Sequence, residues 1–291
     1  MIVADYIITT ESTCDIAPRI LKEWDVRFSC FSFSFEDEPE VQREDISMSA
    51  PEFYANMRAG RMVNTSAANS SAVESTFRSI LKEGKDILHL GFSSALSSTF
   101  DTTCFVAKEL LEEFPERKIY LVDTLAQSAG LGLLIKKTVD RKNAGASIEE
   151  ARDYAESEKL HIAHWFSVDD IKYLKRGGRL STASAAVATV LNIKPILHTD
   201  NNGKLVAVGK ARGIKAAVQT LLDKYDELAL TPGKGTVFFC HADCPEYAEL
   251  LRKGLREKYG MEDFLTTDVG PVIGSHIGPG TYSLFFEAKE R

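Results

Sequence analysis

The stretch DILHLGFSSALSST, residues 86–99, decides how the chain is read. Asp86 to Phe92 form a short apolar run, and a cluster of small hydroxyl residues follows at once. So short and continuous a run, set between helical patterns, reads as a strand buried on both faces of a parallel sheet. KIYLVD (118–123) repeats the reading. Hydroxyls placed directly after such a strand stand where open α/β sheets bind ligands, outside the carboxyl ends of the strands. A second cluster, NTSAANSS (64–71), follows Met62 and Val63 and could join the first in one polar patch. Serine and threonine are also ordinary helix N-caps, so helix capping is the competing reading of both clusters.

Working outward, the first half alternates strand and helix. YIITT is a short strand, and Ile16, Ile20 and Trp24 have helical spacing. VRFSCFSFSF reads as one half-exposed strand with Phe31, Phe33 and Phe35 on one side. Ser49 with Glu52, Ser71 with Glu74 and Ser147 with Glu150 are capping boxes that start helices. After about residue 165 the rhythm changes. HIAHWFSV is a strand, and DDIKYLK and ASAAVATVL are short helices divided by the glycine pair of RGGR. KPILHT and KLVAVGKA are strands joined by DNNG, a hairpin signal. A helix at 213–228, the strand TVFFCHA, a helix at 245–259 and strands near 263–269 and 281–288 follow. The expected fold is α/β in two domains: a parallel α/β/α layer over 1–160, and a mixed or antiparallel sheet with helices over 161–291.

Composition narrows the function. Of 291 residues, 44% are hydrophobic and 26% charged, which suits globular domains. The net charge of −7 argues against nucleic acid or an anionic membrane as partner. No apolar run nears the roughly 20 residues that span a bilayer, and MIVADYIITT lacks the features of a signal peptide. A cytoplasmic protein without stable membrane insertion is expected. The five cysteines are odd in number and scattered, so they read as reduced thiols. CHADC (240–244) has no second Cys/His pair at zinc-ligand spacing, and Cys240 reads as a buried strand residue. No metal or cofactor is expected.

GPVIGSHIGPG (270–280) sets Ser275 and His276 among four glycines and two prolines. Such a stretch reads as a shaped loop, neither helix nor central strand, that lets backbone come close to something. YLKRGGRLS (173–181) and GKARGIKAA (209–217) are compact basic turns in an acidic chain. Each is either a helix end with favourable cations or an anion- or partner-facing turn. Phosphate-loop and dinucleotide fingerprints are absent. The glycines of AGLGLL (129–134) read as easing helix packing. GFSSA (91–95) approaches a nucleophile elbow but ends in alanine, and nothing selects Asp123 or Asp169 as the acid of a triad.

Taken together and in order, these segments resemble the DegV family of fatty-acid-binding proteins over nearly the whole chain. TTESTCDI (9–16), TSAANSS (65–71), SSALSSTF (93–100), VDTLAQSAGLGLL (122–134), VDDIKYLKRGGRLS (168–181), LNIKPIL (191–197), ARGIKAA (211–217) and GPVIGSHIGPG carry the resemblance. It departs from the family pattern at TSAANSS, which lacks the usual Gln-Pro, and at Ser98, where glycine is common. The resemblance implies two α/β domains with one long-chain fatty acid in a tunnel between them. It implies a carboxylate bound by Thr65, by Ser94 or Ser97, and by His276, with Ser66, Ser93, Gly274 and Ser275 in support. It implies a non-catalytic role, presenting the acyl group to a separate ATP-dependent fatty acid kinase subunit, with Arg176 and Arg212 facing that partner or the phosphate. A serine esterase using Ser94 and His276, and a carrier or sensor without a kinase, are the alternatives. Acyl length, the choice among Ser93, Ser94 and Ser97, and oligomeric state are not written in the string.

Overall fold

A computed structural model describes residues 5–180 and 192–291. Three sheets organise the described residues. The first is parallel and built from β1 (Tyr6–Glu11), β2 (Val26–Ser29), β6 (Asp86–Gly91) and β7 (Ile119–Asp123), in the order β2-β1-β6-β7. Ile87, Leu88 and Leu90 of β6 are fully buried, as strands covered on both faces must be. The helices α1 (Pro18–Glu23), α3 (Ser70–Lys82), α4 (Thr99–Glu113), α5 (Ser128–Asn143) and α6 (Ile148–Glu158) accompany this sheet. Its carboxyl ends deliver the turns after β1, β6 and β7 to one crevice.

The second sheet holds β8 (Ile162–Ser167), β9 (Ile193–Thr199), β10 (Leu205–Arg212), β11 (Val237–His241), β12 (Phe264–Asp268) and β13 (Tyr282–Glu287). Its order is β10-β9-β8-β13-β11-β12, antiparallel throughout except for the β11–β12 pair. A short helix α7 (Lys172–Arg176) follows β8, and α8 (Gly213–Leu228) and α9 (Pro245–Tyr259) cover one face. The other face receives α5, which packs on β8, β11 and β13. Gly130 makes this approach possible: a Cβ there would sit 2.2 Å from His164 Nε2. The glycines of AGLGLL thus serve helix packing, as the sequence suggested. The helix expected over ASAAVATVL lies outside the described residues.

The third sheet was not anticipated. VRFSCFSFSF is not one strand: it breaks between β2 and β3 (Ser32–Phe35), which belong to different sheets. β3 pairs antiparallel with β4 (Arg43–Glu44) and β5 (Val63–Ser66). Phe31, Phe33 and Phe35 are buried, and so is Ser34 between the last two, so β3 is not the half-exposed strand expected. Phe33 and Phe35 pack on Phe53 of α2 (Ala50–Arg58), with the Phe33 and Phe53 rings edge to face at 5.4 Å. Alternation reports which side faces in, not what covers it.

Helix starts show where local chemistry ruled. Ser147 and Glu150 form the reciprocal capping box, and Ser49 accepts from Glu52 N. Ser71 does not cap α3. Asn69 does, accepting from Ser71 N at 3.0 Å, while Glu74 pairs with Arg78 one turn on.

GPVIGSHIGPG is also corrected. Pro271–Ile277 form a short helix, α10, with proline at its first turn. Proline costs nothing there, because the missing N–H would have had no intrahelical partner. The expectation of close backbone approach holds: a Cβ on Gly274 would stand 2.4 Å from Tyr54 Oη. α10 packs on α2, β3, β5 and α7. Through it, residues after 270 enter the same buried cluster as the phenylalanines of the third sheet.

Candidate functional site

The site begins with the turn RGGR. α7 ends at Arg176, and the chain reverses through Gly177 and Gly178. Gly178 has φ +67°, a conformation open to glycine at little cost. A Cβ on Gly177 would sit 2.4 Å from His276 Nδ1, so the turn lies directly against that ring. Arg179 then folds back, donating to Leu96 O at 3.3 Å and to Gly177 O at 2.5 Å. The turn therefore ties the hydroxyl loop after β6 to the end of α10.

His276 sits in the last turn of α10, and its Nε2 lies 2.9 Å from Thr65 Oγ1 on β5. Burial, then Arg179 and Arg176, push its pKa from 6.5 down to about 4. At neutral pH the ring carries no charge. A neutral imidazole has one N–H and one bare nitrogen. With Nε2–H donating to Thr65 Oγ1, the threonine hydroxyl proton is free for an acceptor outside the pair; the other tautomer reverses the bond.

Both residues line a cavity of about 290 Å³. Ser66, Ser97, Ser98 and Arg179 complete its polar side near them, and Phe31, Phe92, Leu96, Phe166, Leu205 and Ile273 supply apolar wall. Residues before 100 and after 160 contribute alike. Ser97 Oγ accepts from Thr99 N at 3.2 Å and lies 3.0 Å from Thr99 Oγ1. A partly open cavity with apolar walls, clustered neutral donors and one guanidinium can hold an amphiphile that carries a single acidic headgroup.

The hydroxyl loop divides its labour. Ser93 is buried and donates to Gly203 O at 3.0 Å, fastening the tip of the β9–β10 hairpin. Ser94 is exposed, donates to Asp123 Oδ2 at 2.5 Å, and is not among the cavity's lining residues. The esterase pair is therefore not assembled: Ser94 turns to Asp123 and His276 to Thr65. Ser275 is buried and donates to Val272 O within its own helix. Gly274 faces Tyr54. Arg176 is exposed against Met62 Sδ and the Tyr173 ring, and Arg212 ends β10; neither lines the cavity.

Arg179, a cation of the basic turn YLKRGGRLS that the string does not set apart from Arg176, does line the cavity. The signal lay in the glycine pair, because the residue after the reversal returns toward the body of the protein. Gln127 and Thr13 also line the cavity and were not singled out.

A pair of acids anchors the base of α10. Asp15 Oδ1 accepts from Gly270 N at 2.9 Å, and Asp45 Oδ1 accepts from Val272 N at 2.8 Å. Asp15 Oδ2 takes the Ser128 hydroxyl at 2.5 Å. Burial first, and then Asp45, raise the Asp15 pKa well above the usual range; burial lifts Asp45 to about 6.

A family model described as "Uncharacterised protein, DegV family" matches residues 6–289. The chain belongs to the DegV family. A DegV domain-containing protein of Clostridium perfringens is 36% identical over 281 residues, covering 97% of each chain. Among solved structures, a DegV lipid-binding protein from Thermotoga maritima superposes with a TM-score of 0.86 at 28% identity, covering 98% of this chain and 99% of that one. A DegV family protein from Thermus thermophilus, described for its fatty acid binding, gives 0.85 at 27% identity over 97% and 99%. The family fold accounts for a parallel sheet beside a mixed one. Among the described residues, no helix is long and apolar enough to cross a membrane.

Proposed function

We propose that this DegV protein binds one long-chain fatty acid in the cavity, between an N-terminal domain of residues 1–160 and a C-terminal domain of residues 161–291. The observation that carries the reading is the Thr65–His276 pair at 2.9 Å, lining a cavity that Ser97 and Arg179 also line. The carboxylate accepts hydrogen bonds from the Thr65 and Ser97 hydroxyls and the Arg179 guanidinium, while neutral His276 orients Thr65 or donates directly. A carboxylate leaving water needs such donors, or its burial is costly. Ser97 is preferred over Ser93 and Ser94, whose hydroxyls serve the hairpin and Asp123. The acyl chain supplies most of the affinity, at about 0.8 kcal/mol per buried methylene before association costs. The lipid-binding DegV proteins of Thermotoga maritima and Thermus thermophilus support this reading.

The protein then presents the carboxylate to a separate ATP-dependent kinase subunit, which forms the acyl phosphate. Exposed Arg176, beside the turn that holds His276, supports this step, as does Arg212 through its match to the family motif. Binding needs no cofactor. Mass spectrometry of an organic extract of purified protein tests the first part: the expected result is a fatty acid near one per chain. No lipid in the extract, together with no uptake of added fatty acid, overturns it. Reconstitution with a fatty acid kinase subunit and ATP tests the second by following acyl phosphate.

A further inference from the structure

The cavity carries a second set of polar residues that headgroup recognition leaves unused. Thr13 follows β1, Gln127 precedes α5, and Ser283 belongs to β13; all three line the cavity. The headgroup residues come instead from β5, the loop after β6, the RGGR turn and α10. No side-chain hydrogen bond joins the two sets among the described residues. Thr13 is fully buried and Gln127 is 8% exposed. Thr13 Oγ1 is a buried polar atom with no hydrogen-bond partner among the described residues, and the Gln127 side chain, which lines the cavity, makes no hydrogen bond to another described side chain or backbone group. Ser128, next in the chain, differs: its hydroxyl is committed to Asp15.

A buried hydroxyl without a partner, beside an amide that lines the cavity and makes no side-chain hydrogen bond, marks a place where a group on the ligand completes the bonding. The Gln127 amide offers two N–H donors and one carbonyl acceptor, and Thr13 offers one O–H and its lone pairs. An alcohol matches both, since it donates once and accepts twice. A ketone only accepts, so it satisfies less of the site. A plain methylene chain satisfies none of it and leaves both groups desolvated.

We propose that the cavity selects an acyl chain bearing an in-chain oxygen function, a hydroxyl ahead of an oxo group, with Gln127 and Thr13 as the residues that read it. This rests on the fatty-acid reading of the same cavity and names its ligand class more narrowly. The discrimination has the usual source: a site built to hydrogen-bond a substrate hydroxyl rejects the analogue that lacks it, because its own polar groups are then left unpaired.

The experiment is a set of dissociation constants for delipidated protein with stearic acid and with its monohydroxy isomers spanning the chain. At least one in-chain isomer is expected to bind about tenfold or more tighter than stearic acid. Gln127→Leu is expected to abolish or invert that preference while stearic acid binds as well as or better than to the parent. Thr13→Val is expected to reduce the preference in the same direction. Stearic acid bound as tightly as every hydroxy isomer overturns the proposal and leaves the fatty-acid reading standing. Equal weakening of stearic and hydroxystearic acids by Gln127→Leu also overturns it, because it would place Gln127 on the carboxylate. No binding of any of these acids overturns the fatty-acid reading itself. If the variants fail to fold, the comparison of acids on the parent protein decides.

Discussion

Acidification isolates the cost of keeping His276 neutral. Its pKa is about 4 in the folded protein against an ordinary 6.5, chiefly through burial, then Arg179 and Arg176. The unfolded chain therefore takes up the proton first as pH falls. Stability from this group is fully present above about pH 6.5 and declines as pH drops toward 4. Between pH 7 and pH 5 the linkage amounts to about 2 kcal/mol. Asp45 works the other way: its pKa is raised to about 6, so the folded form holds that proton longer and loses stability as pH rises through the same window. The parent protein alone thus shows a muted profile. The difference between parent and His276→Gln removes the Asp45 contribution, because both proteins carry it. We expect this difference to move by about 2 kcal/mol in favour of the glutamine variant between pH 7 and pH 5. Urea unfolding of ligand-free protein at the two pH values, at fixed ionic strength, measures it. A difference that stays constant, or a ring titration by NMR near 6.5, refutes the argument that burial and two guanidiniums hold the imidazole neutral.

Thr65→Val keeps the side chain's shape and removes its hydroxyl, so fatty-acid affinity is expected to fall by about 1.5–3 kcal/mol, the worth of a hydrogen bond to a charged group. Titration calorimetry checks this, and an unchanged dissociation constant removes Thr65 from the headgroup site. Arg179→Ala is expected to weaken fatty-acid binding, whereas Arg176→Ala and Arg212→Ala keep binding and lower salt-sensitive acyl phosphate formation by the reconstituted pair. Equal loss of lipid affinity in all three variants would erase the distinction between inner and outer arginines. Gly177→Ala places a methyl 2.4 Å from His276 Nδ1, so the ring must shift. Affinity is expected to fall about tenfold; wild-type affinity would show that the turn does not set the ring's position.

Much of the fold was legible because its signals are local. The β6 and β7 runs read as parallel strands, and DNNG read as the hairpin turn between β9 and β10; β6 is buried as expected, whereas β7 is the half-buried edge of its sheet. The ends of α8 and α9 followed from local pattern. The errors also have local causes. A proline at the first turn of α10 was taken as a breaker, although that is the helical position where proline fits. Asn69 was passed over as a cap because Ser71 and Glu74 made the more familiar pair. Of the candidate site, Thr65 and His276 were legible through the family motif, and the structure brings them together across a sequence separation of 211. Which serine faces the cavity was not legible, because Ser93, Ser94 and Ser97 lie in one loop and differ only in which way each turns.

The two halves of the chain separate by sheet but not by core. The strands of the parallel sheet all precede β8, and those of the mixed sheet run from β8 onward. Burial does not divide in this way: Val272, Ile273 and Ile277 of α10 join the cluster that contains Phe33, Phe35 and Phe53. Asp15 and Asp45 of the first half hold the backbone N–H groups at the start of that same helix. A late helix thus completes an early layer, and the cavity forms where it does so. That is why the histidine lies near the end of the chain and its hydroxyl partner in the first quarter. The proposed headgroup site, assembled this way, is expected to respond to displacement of α10, whose contacts with Asp15, Asp45, Tyr54 and Gly177 are the places to perturb it.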